Sequence, residues 1–182
     1  MGDASFMISP ARSAKDIEDV AQLFTAYAEW IALDLGFQDF ATELASLPGK
    51  YSPARGGELL IARRTGGEAV GCMAVRWLGS DECCEAKRLY TTPSGRGLGI
   101  GRALIAAAFD AARQLGYREM KLDTLPRMSA AVSLYKQFGF VDTEPYYDTP
   151  LEGTRFLSCN LDQWAASNRL VLQDLLRNRE RC

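Results

Sequence analysis

The chain has 182 residues, enough to bury one substantial core and too few for two ordinary domains to be the default expectation. A composition of 47% hydrophobic and 24% charged residues is typical of folded globular proteins and excludes the disordered and fibrous classes. With 21 basic and 23 acidic side chains, the net charge of -2 gives no global attraction to nucleic acid or to an anionic membrane.

The sequence also bears on location and on proton chemistry. No run approaches the ~18 apolar residues of a membrane span, and the first residues lack the pattern of a signal peptide, so we expect a cytoplasmic protein. Histidine is absent, which excludes a histidine triad, a histidine metal site and a histidine general base. The five cysteines lack metal-ligand spacing and are interpreted as buried free thiols, so we expect no bound metal.

Two helices are predicted before the first strand. Ser13 and Asp16 have the spacing of an N-terminal capping box, and apolar residues then recur at helical spacing up to Ile31. This pattern predicts a helix of about five turns. A second helical pattern covers residues 37–47 and ends at Pro48 and Gly49.

Three strands and a helix are predicted next. The strands cover residues 58–64, 69–78 and 83–91, and the first two are joined by a glycine-containing turn. A glycine-rich loop follows, and it opens a helix whose apolar face ends at Gly116. Beyond it we predict a strand at 117–124, a helix at 129–138, strands at 140–141 and 155–161, and a helical tail. The predicted order before the tail is ααβββαβαββ.

The glycine-rich loop is the strongest candidate for a binding site. A helix N-terminus offers free N–H groups and partial positive charge to a phosphate, and arginines add charged donors. The alternative is a turn that needs glycine only for tight packing. The residues in question are Arg96, Gly97, Leu98, Gly99, Ile100, Gly101 and Arg102.

Two common phosphate loops do not fit this sequence. The dinucleotide motif G-x-G-x-x-G is not matched in register, and the P-loop motif G-x-x-x-x-G-K-[ST] is absent because Gly49 and Lys50 are followed by Tyr51. A different diphosphate ligand is therefore favoured, and coenzyme A is the common one.

The loop resembles the signature of the GNAT acetyltransferase superfamily, [QR]-x-x-G-x-[GA], with Arg96, Gly99 and Gly101 at its fixed positions. Residues 129–140 resemble a second family feature, a short helix with alanine and tyrosine before a Gly-Phe strand start. The resemblance covers residues 8–161. It implies one α/β domain at 1–161 with a mixed sheet of six or seven strands, splayed between the fourth and fifth and flanked by helices. Residues 162–182 would form the tail.

Three further stretches, 85–90, 122–126 and 146–156, look like one bacterial branch of the superfamily whose substrates are mostly unassigned. The resemblance therefore does not indicate which amine is the acceptor substrate. Met128 stands where many members have an asparagine that contacts the cofactor or the helix start.

The resemblance also implies site residues. The backbone of Leu89, Tyr90 and Thr91 would pair with the pantetheine arm of acetyl-CoA as an added strand. Tyr135 would be the general acid for the departing thiolate, or only a packed aromatic. Candidate bases are Glu85, Asp123 and, more weakly, Glu144. Glu85 is alternatively a salt-bridge partner of Lys87 or Arg88, or an anchor for the amine. Acceptor-side candidates are Phe37, Gln38, Phe40, Tyr146 and Tyr147.

These expectations describe an N-acetyltransferase that moves an acetyl group from acetyl-CoA to a primary amine by direct attack, with a small-molecule acceptor favoured. Alternatives are a protein N-terminal or lysine acetyltransferase, a non-catalytic acyl-CoA sensor, and an acetyl-cysteine route through Cys83 or Cys84. The tail either packs on its own sheet or forms a homodimer contact.

Overall fold

A computed structural model describes residues 6–33 and 35–167, without the side chain of Phe37. Most of the predicted tail and Cys182 therefore lie outside the described residues. The helices are α1 (Ala14–Ile31), α2 (Phe40–Ala45), α3 (Ile100–Gln114), α4 (Ser129–Gln137) and α5 (Leu161–Ser167). The strands are β1 (Phe6–Pro10), β2 (Glu58–Arg64), β3 (Ala69–Ser80), β4 (Cys83–Thr91), β5 (Glu119–Thr124), β6 (Val141–Asp142) and β7 (Arg155–Asn160).

The first helix begins where its capping box predicts. The Ser13 hydroxyl accepts a hydrogen bond from the Asp16 N–H at 3.1 Å, and the Asp16 carboxylate accepts from the Ser13 N–H at 3.1 Å. These two bonds satisfy backbone donors that the first helical turn leaves unpaired. Asp16 also pairs with Arg63 of β2 at 2.7 Å, so the start of α1 is fixed to the sheet.

The seven strands form one mixed sheet in the order β1-β2-β3-β4-β5-β7-β6. Neighbouring strands are antiparallel except β4 and β5, which are parallel. That parallel pairing is short: it joins Cys83, Cys84 and Glu85 to residues 119–121 and then stops. Beyond it, β4 runs on to Thr91 and β5 to Thr124 without pairing to each other. The predicted splay between the fourth and fifth strands is therefore confirmed.

A bulge interrupts β4 beside this splay. Cys72 of β3 faces Tyr90, and Ala74 faces Lys87, so Met73 between them faces two residues of β4. One of the two, Arg88, has φ 58°, a left-handed conformation that residues with a Cβ seldom adopt.

The core has two parts because alternate residues of a strand point to opposite faces. On one face, α3 packs its apolar side, including Leu104, Ile105 and Phe109, against the sheet together with Tyr135 and Phe138. On the other face, α1 packs against the sheet through side chains that are fully buried. They are Val20 and Phe24 of the helix and Ile61, Cys72 and Ala74 of the sheet.

The structure corrects three details of the prediction. Strand β1 was not predicted, since five residues ending in proline carry no clear pattern, yet β1 pairs along its whole length with β2 at the sheet edge. The single helix predicted at 37–47 is instead a 3₁₀ turn (Gly36–Gln38) and the short α2. Asp39 separates them with φ 55°. The strand predicted at 140–141 is Val141–Asp142.

Candidate active site

A cavity opens in the sheet where β4 and β5 separate. Its walls come from both faces: Tyr135 of α4 reaches it from the side of α3, whereas Tyr27 and Ile31 of α1 and Gln38 reach it from the opposite side. The remaining lining residues are Leu33, Leu35, Met73, Ala86, Lys87, Arg88, Leu89, Asp123, Thr124, Leu125, Met128 and Leu151. Four predicted site residues, Gln38, Leu89, Asp123 and Tyr135, thus meet in one cavity.

The glycine-rich loop lies at the N-terminus of α3. Gly97 has φ 79°, and Gly99, the N-cap residue, has φ 81°. A Cβ added at either position would meet nothing within 4 Å, so tight packing does not explain these glycines. Open space in front of a helix N-terminus fits a pyrophosphate, because the first N–H groups of the helix have no internal partner.

The two arginines of the loop differ in their contacts. Arg96 is exposed, and its guanidinium lies 5.4 Å from the centre of the Trp30 ring of α1. Arg102 donates a hydrogen bond to the Gln137 side chain and lies over the ring of Phe138. Arg96 is therefore the arginine that keeps its donors toward solvent beside the loop.

Tyr135 is buried at 7% exposure, and its ring packs edge-on against Phe140. Burial is the main reason why its pKa is raised, and the nearby Tyr27 and Asp123 raise it further. The phenol consequently keeps its proton at neutral pH and can donate it. Tyr90, in contrast, turns its side chain toward α1, where its ring lies 6.2 Å from Tyr27 and from Trp30.

Glu85 is fully buried and outside the cavity lining. Its carboxylate pairs with Arg76 at 2.5 Å, accepts a hydrogen bond from the Tyr146 hydroxyl at 2.9 Å and lies 3.7 Å from the Lys87 ammonium. The predicted partner Arg88 instead binds Glu43. Burial, followed by the Glu85 charge, raises the pKa of Tyr146.

Asp123 lies on the cavity wall with 19% of its side chain exposed. Lys87, itself 8% exposed, donates a hydrogen bond to its carboxylate at 2.8 Å. The same ammonium stands over the Tyr147 ring at 5.9 Å. Asp123 thus combines a fixed orientation with access to the cavity, a combination that Glu85 lacks.

Two buried polar atoms on the acceptor side make no hydrogen bond of ordinary geometry among the described residues: the Gln38 side-chain oxygen, and the Tyr147 hydroxyl, which nevertheless lies beside the Asp123 carboxylate and the Gln38 side chain. Burial, together with the neighbouring Asp123, raises the pKa of Tyr147. Buried polar groups are ordinarily satisfied, so these atoms are suited to bind a polar group of a ligand. Phe40 lies elsewhere, under the Arg88 guanidinium at 5.1 Å.

The cysteines are poor nucleophiles. Cys72, Cys83, Cys84 and Cys159 are buried and free. Burial raises the pKa of Cys83 to about 11 and that of Cys84 still further. Both thiols lie where β4 is paired with β5, before the cavity begins. An acetyl-cysteine route therefore has neither a thiolate nor access.

Among residues 6–33 and 35–167, no cluster of cysteine and carboxylate side chains could hold a metal ion. Within the same ranges, none of the helices is long and apolar enough to cross a membrane.

Sequence reasoning missed the buried Glu43, the partly exposed Arg76 and the pairing of Lys87 with Asp123. Glu85 and Lys87 are two residues apart in a strand, so a shared face could be inferred. The partners Arg76 and Asp123 depend on strand register, which the sequence alone does not specify.

Comparison with known proteins identifies the family. Residues 17–140 match the model described as Acetyltransferase (GNAT) family. An uncharacterised N-acetyltransferase of Schizosaccharomyces pombe is 39% identical, covering 90% of this chain and 99% of that protein. The aminoglycoside N(6')-acetyltransferase type 1 of Stenotrophomonas maltophilia is 32% identical, covering 69% of this chain and 88% of that protein. A GNAT-family acetyltransferase structure from Staphylococcus aureus has a TM-score of 0.72 at 19% identity, covering 86% and 99% of the two chains.

The chain therefore belongs to the GNAT acetyltransferase family and is an acyl-CoA-dependent N-acetyltransferase. The predicted family, fold and enzyme class, with acetyl-CoA as co-substrate, are confirmed at this level. The yeast relative shows that the similarity extends beyond bacteria.

Proposed function

We propose that this enzyme transfers an acetyl group from acetyl-CoA directly to the primary amine of a small molecule, inside the cavity between β4 and β5. The observation that carries the proposal is that groups from both faces of the sheet meet in this gap. Tyr135 arrives from the side of α3, and Asp123 and Gln38 line the opposite side.

The donor would lie along the glycine loop and β4. The free N–H groups at the start of α3, with Arg96 beside them, bind the pyrophosphate. Among the described residues, no strand pairs with residues 89–91 of β4 on the side of β5, so their backbone groups pair with the amides of the pantetheine arm. Both contacts bring the thioester toward Tyr135.

The reaction needs a neutral amine and a protonated leaving thiol. The amine nitrogen attacks the carbonyl carbon, the carbon–sulfur bond breaks, and Tyr135 donates its proton to the departing sulfur. Asp123, directly or through water, accepts the proton that the amine loses. Glu85, outside the cavity lining, has an indirect role: it holds the side chains of Arg76, Tyr146 and Lys87 in place. Glu144 is exposed, and neither the cavity nor the Glu85 cluster includes it.

The acceptor would enter from the side of Gln38 and Tyr147, whose buried polar atoms lie beside Asp123 and can bind its polar groups. Support for a small-molecule acceptor comes from the aminoglycoside acetyltransferase among the relatives. The cytoplasmic location and a homodimer remain predictions. Within the described tail, Trp164 packs its ring 4.8 Å from Phe109 of the same domain, which favours an intramolecular role for α5.

The test is release of free thiol from acetyl-CoA across a panel of monoamines, polyamines and aminoglycosides, run beside peptides with free N-termini or lysines. We expect turnover with a small amine and an acetylated product by mass spectrometry. Turnover confined to peptides would make the protein a peptide acetyltransferase. Binding of acetyl-CoA by calorimetry without thiol release from any acceptor would make it a sensor.

A further inference from the structure

The bulge of β4 places two consecutive basic residues on one face of the sheet. In a regular strand Lys87 and Arg88 would point to opposite faces. With the extra residue and the left-handed Arg88, both side chains lie on the side of α1, and both line the cavity. Lys87 then reaches Asp123 of β5, and Arg88 reaches Glu43 of α2.

The pair formed by Arg88 and Glu43 is buried and bidentate. Arg88 Nε and Nη2 each donate to one Glu43 oxygen at 3.0 Å, and both side chains are at most 2% exposed. Glu43 also accepts from the Tyr51 hydroxyl at 2.8 Å and from Lys50 at 3.0 Å. A carboxylate held by three groups is a rigid anchor for a planar guanidinium.

Glu43 itself is outside the cavity lining, but it connects two of its walls. It lies on α2, the helix that directly follows the segment carrying Leu35 and Gln38, and it binds the residue whose backbone forms the bulge. Left-handed backbone is unfavourable for arginine, so a specific contact is needed to hold it. The Glu43–Arg88 pair is the charged contact available for this, beside the Cys72 thiol, which donates to the Arg88 carbonyl at 3.5 Å, and the rings of Tyr27 and Phe40 under the guanidinium.

We propose that Glu43 is a positioning residue for acyl transfer. Through its buried ion pair with Arg88, it holds the β4 bulge in the conformation that keeps Lys87 on Asp123 and shapes the wall beside the thioester. The inference rests on the proposed function, because it assigns the cavity at the bulge to the transfer step.

The test compares kcat and the KM for acetyl-CoA in Glu43→Gln and in Arg88→Lys. Each change removes the bidentate pair while keeping a side chain of similar size. We expect kcat to fall at least about tenfold, because orientation at the reacting atoms is lost, while the KM for acetyl-CoA rises by a smaller factor, because the pyrophosphate site at the glycine loop is untouched although residues 89–91 lie beside the bulge. In Glu43→Gln, a second change of Arg88→Gly should recover part of kcat, since glycine adopts the bulge conformation without a partner.

The control is Glu58→Gln, which removes another bidentate pair, that with Arg12, at the start of β2, which is separated from β4 by β3. It should leave kcat unchanged. A kcat of folded Glu43→Gln within about twofold of wild type would overturn the proposal, as would an equal fall in Glu58→Gln. If Glu43→Gln does not fold, Arg88→Lys decides by the same criterion.

A readout independent of catalysis separates this inference from the proposed function. Amide hydrogen exchange of Arg88 and Leu89 should speed up in Glu43→Gln relative to Glu58→Gln if the pair holds the bulge. Unchanged exchange at both amides would overturn the positioning role even in a protein with no detectable turnover. An inactive wild-type protein with faster exchange in Glu43→Gln would refute only the proposed function.

Discussion

Tyr135 holds its phenolic proton well above neutral pH, because burial and the neighbouring Tyr27 and Asp123 raise its pKa. A raised pKa means that the protonated form is kept as the pH increases through the usual assay range. The acid proposed for the leaving thiol is therefore protonated throughout that range, and because a raised pKa also makes it a weaker acid, its proton is transferred as the carbon–sulfur bond breaks.

We expect Tyr135→Phe to lower kcat by about a hundredfold or more while the KM for acetyl-CoA changes little, since only the proton donor is removed. Steady-state thiol release with the preferred amine is the measurement. Tyr117→Phe is a suitable control, because that hydroxyl bonds only the Gly56 carbonyl, at 2.7 Å and away from the cavity. Undiminished turnover in Tyr135→Phe would contradict the acid role.

The roles of the two candidate bases, Asp123 and Glu85, can be distinguished by comparing the kcat of variants in the same assay. Asp123→Asn should lower kcat most at low pH, where a proton acceptor is needed to generate the neutral amine, and raising the pH should restore part of the rate. Glu85→Gln removes the partner of Arg76 and Tyr146, so we expect it to reduce thermal stability as well as activity. A pH profile of kcat that shifts in Glu85→Gln and not in Asp123→Asn would reverse the assignment.

Among the elements, α3 needs glycine at its N-terminus for two reasons: the backbone there has positive φ angles, and a side chain would occupy the space proposed for the ligand. The positive φ of Gly97 and Gly99 and the empty volume where their Cβ atoms would lie are both properties of this one turn. The sequence motif identifies the turn because glycine is nearly the only residue that tolerates both.

We predict that Gly99→Glu abolishes acetyl-CoA binding, because it puts bulk and negative charge where the pyrophosphate would lie. Isothermal calorimetry should show at least about a fiftyfold loss of affinity. Gly67→Glu is the matched control: Gly67 has φ 88° and open space in the exposed β2–β3 turn. Both variants should lose about 1 kcal/mol of stability from backbone strain, and only the first should lose binding. Equal affinities would refute the placement of the donor.

For the molecule as a whole, the sequence allowed the fold to be predicted wherever local patterns are strong. The capping box at Ser13, the apolar runs of β2 and β3 on either side of a glycine turn, and the glycine loop each specify an element without reference to the rest. Strand β1 was missed because its partner, β2, is nearly fifty residues away, and pairing alone defines it. Tyr135 and Asp123 were proposed through the family resemblance and lie at the cavity, but Arg76 and Glu43 depend on register and on loop packing.

Glu43 also makes the stability of the whole protein sensitive to acid. Burial would raise its pKa, but Arg88 and then Lys50 outweigh burial and lower the pKa to about 2. The pKa of Glu43 is thus lower in the folded protein than in the unfolded chain, where it is about 4.3, so the ionised carboxylate stabilises the fold at pH values above about 4.3. This stabilisation is lost as the pH falls toward about 2. The amount is on the order of 3 kcal/mol, since each pKa unit corresponds to about 1.4 kcal/mol.

Urea unfolding of wild type and Glu43→Gln between about pH 7 and about pH 2 tests this contribution. The difference in the free energy of unfolding should be largest near neutral pH and should shrink on acidification. The exposed Arg12–Glu58 pair offers a reference, and Glu58→Gln should cost less than about 1 kcal/mol at neutral pH. A Glu43→Gln difference that does not vary with pH would show that the carboxylate charge is not the source.

The short pairing of β4 with β5 also gives the sheet a seam. Three residue pairs join a four-stranded half to a three-stranded half, and above them, in the part of the chain that the structure describes, the facing edges of β4 and β5 are unpaired with each other. In the binding mode proposed above, a donor arm lying in that opening would supply the hydrogen bonds of a missing strand, so the co-substrate would be part of the sheet while it is bound. Amides of residues 86–91 should then exchange more slowly, and the melting temperature should rise with the concentration of coenzyme A. After each turnover, the seam opens again when the thiol product leaves.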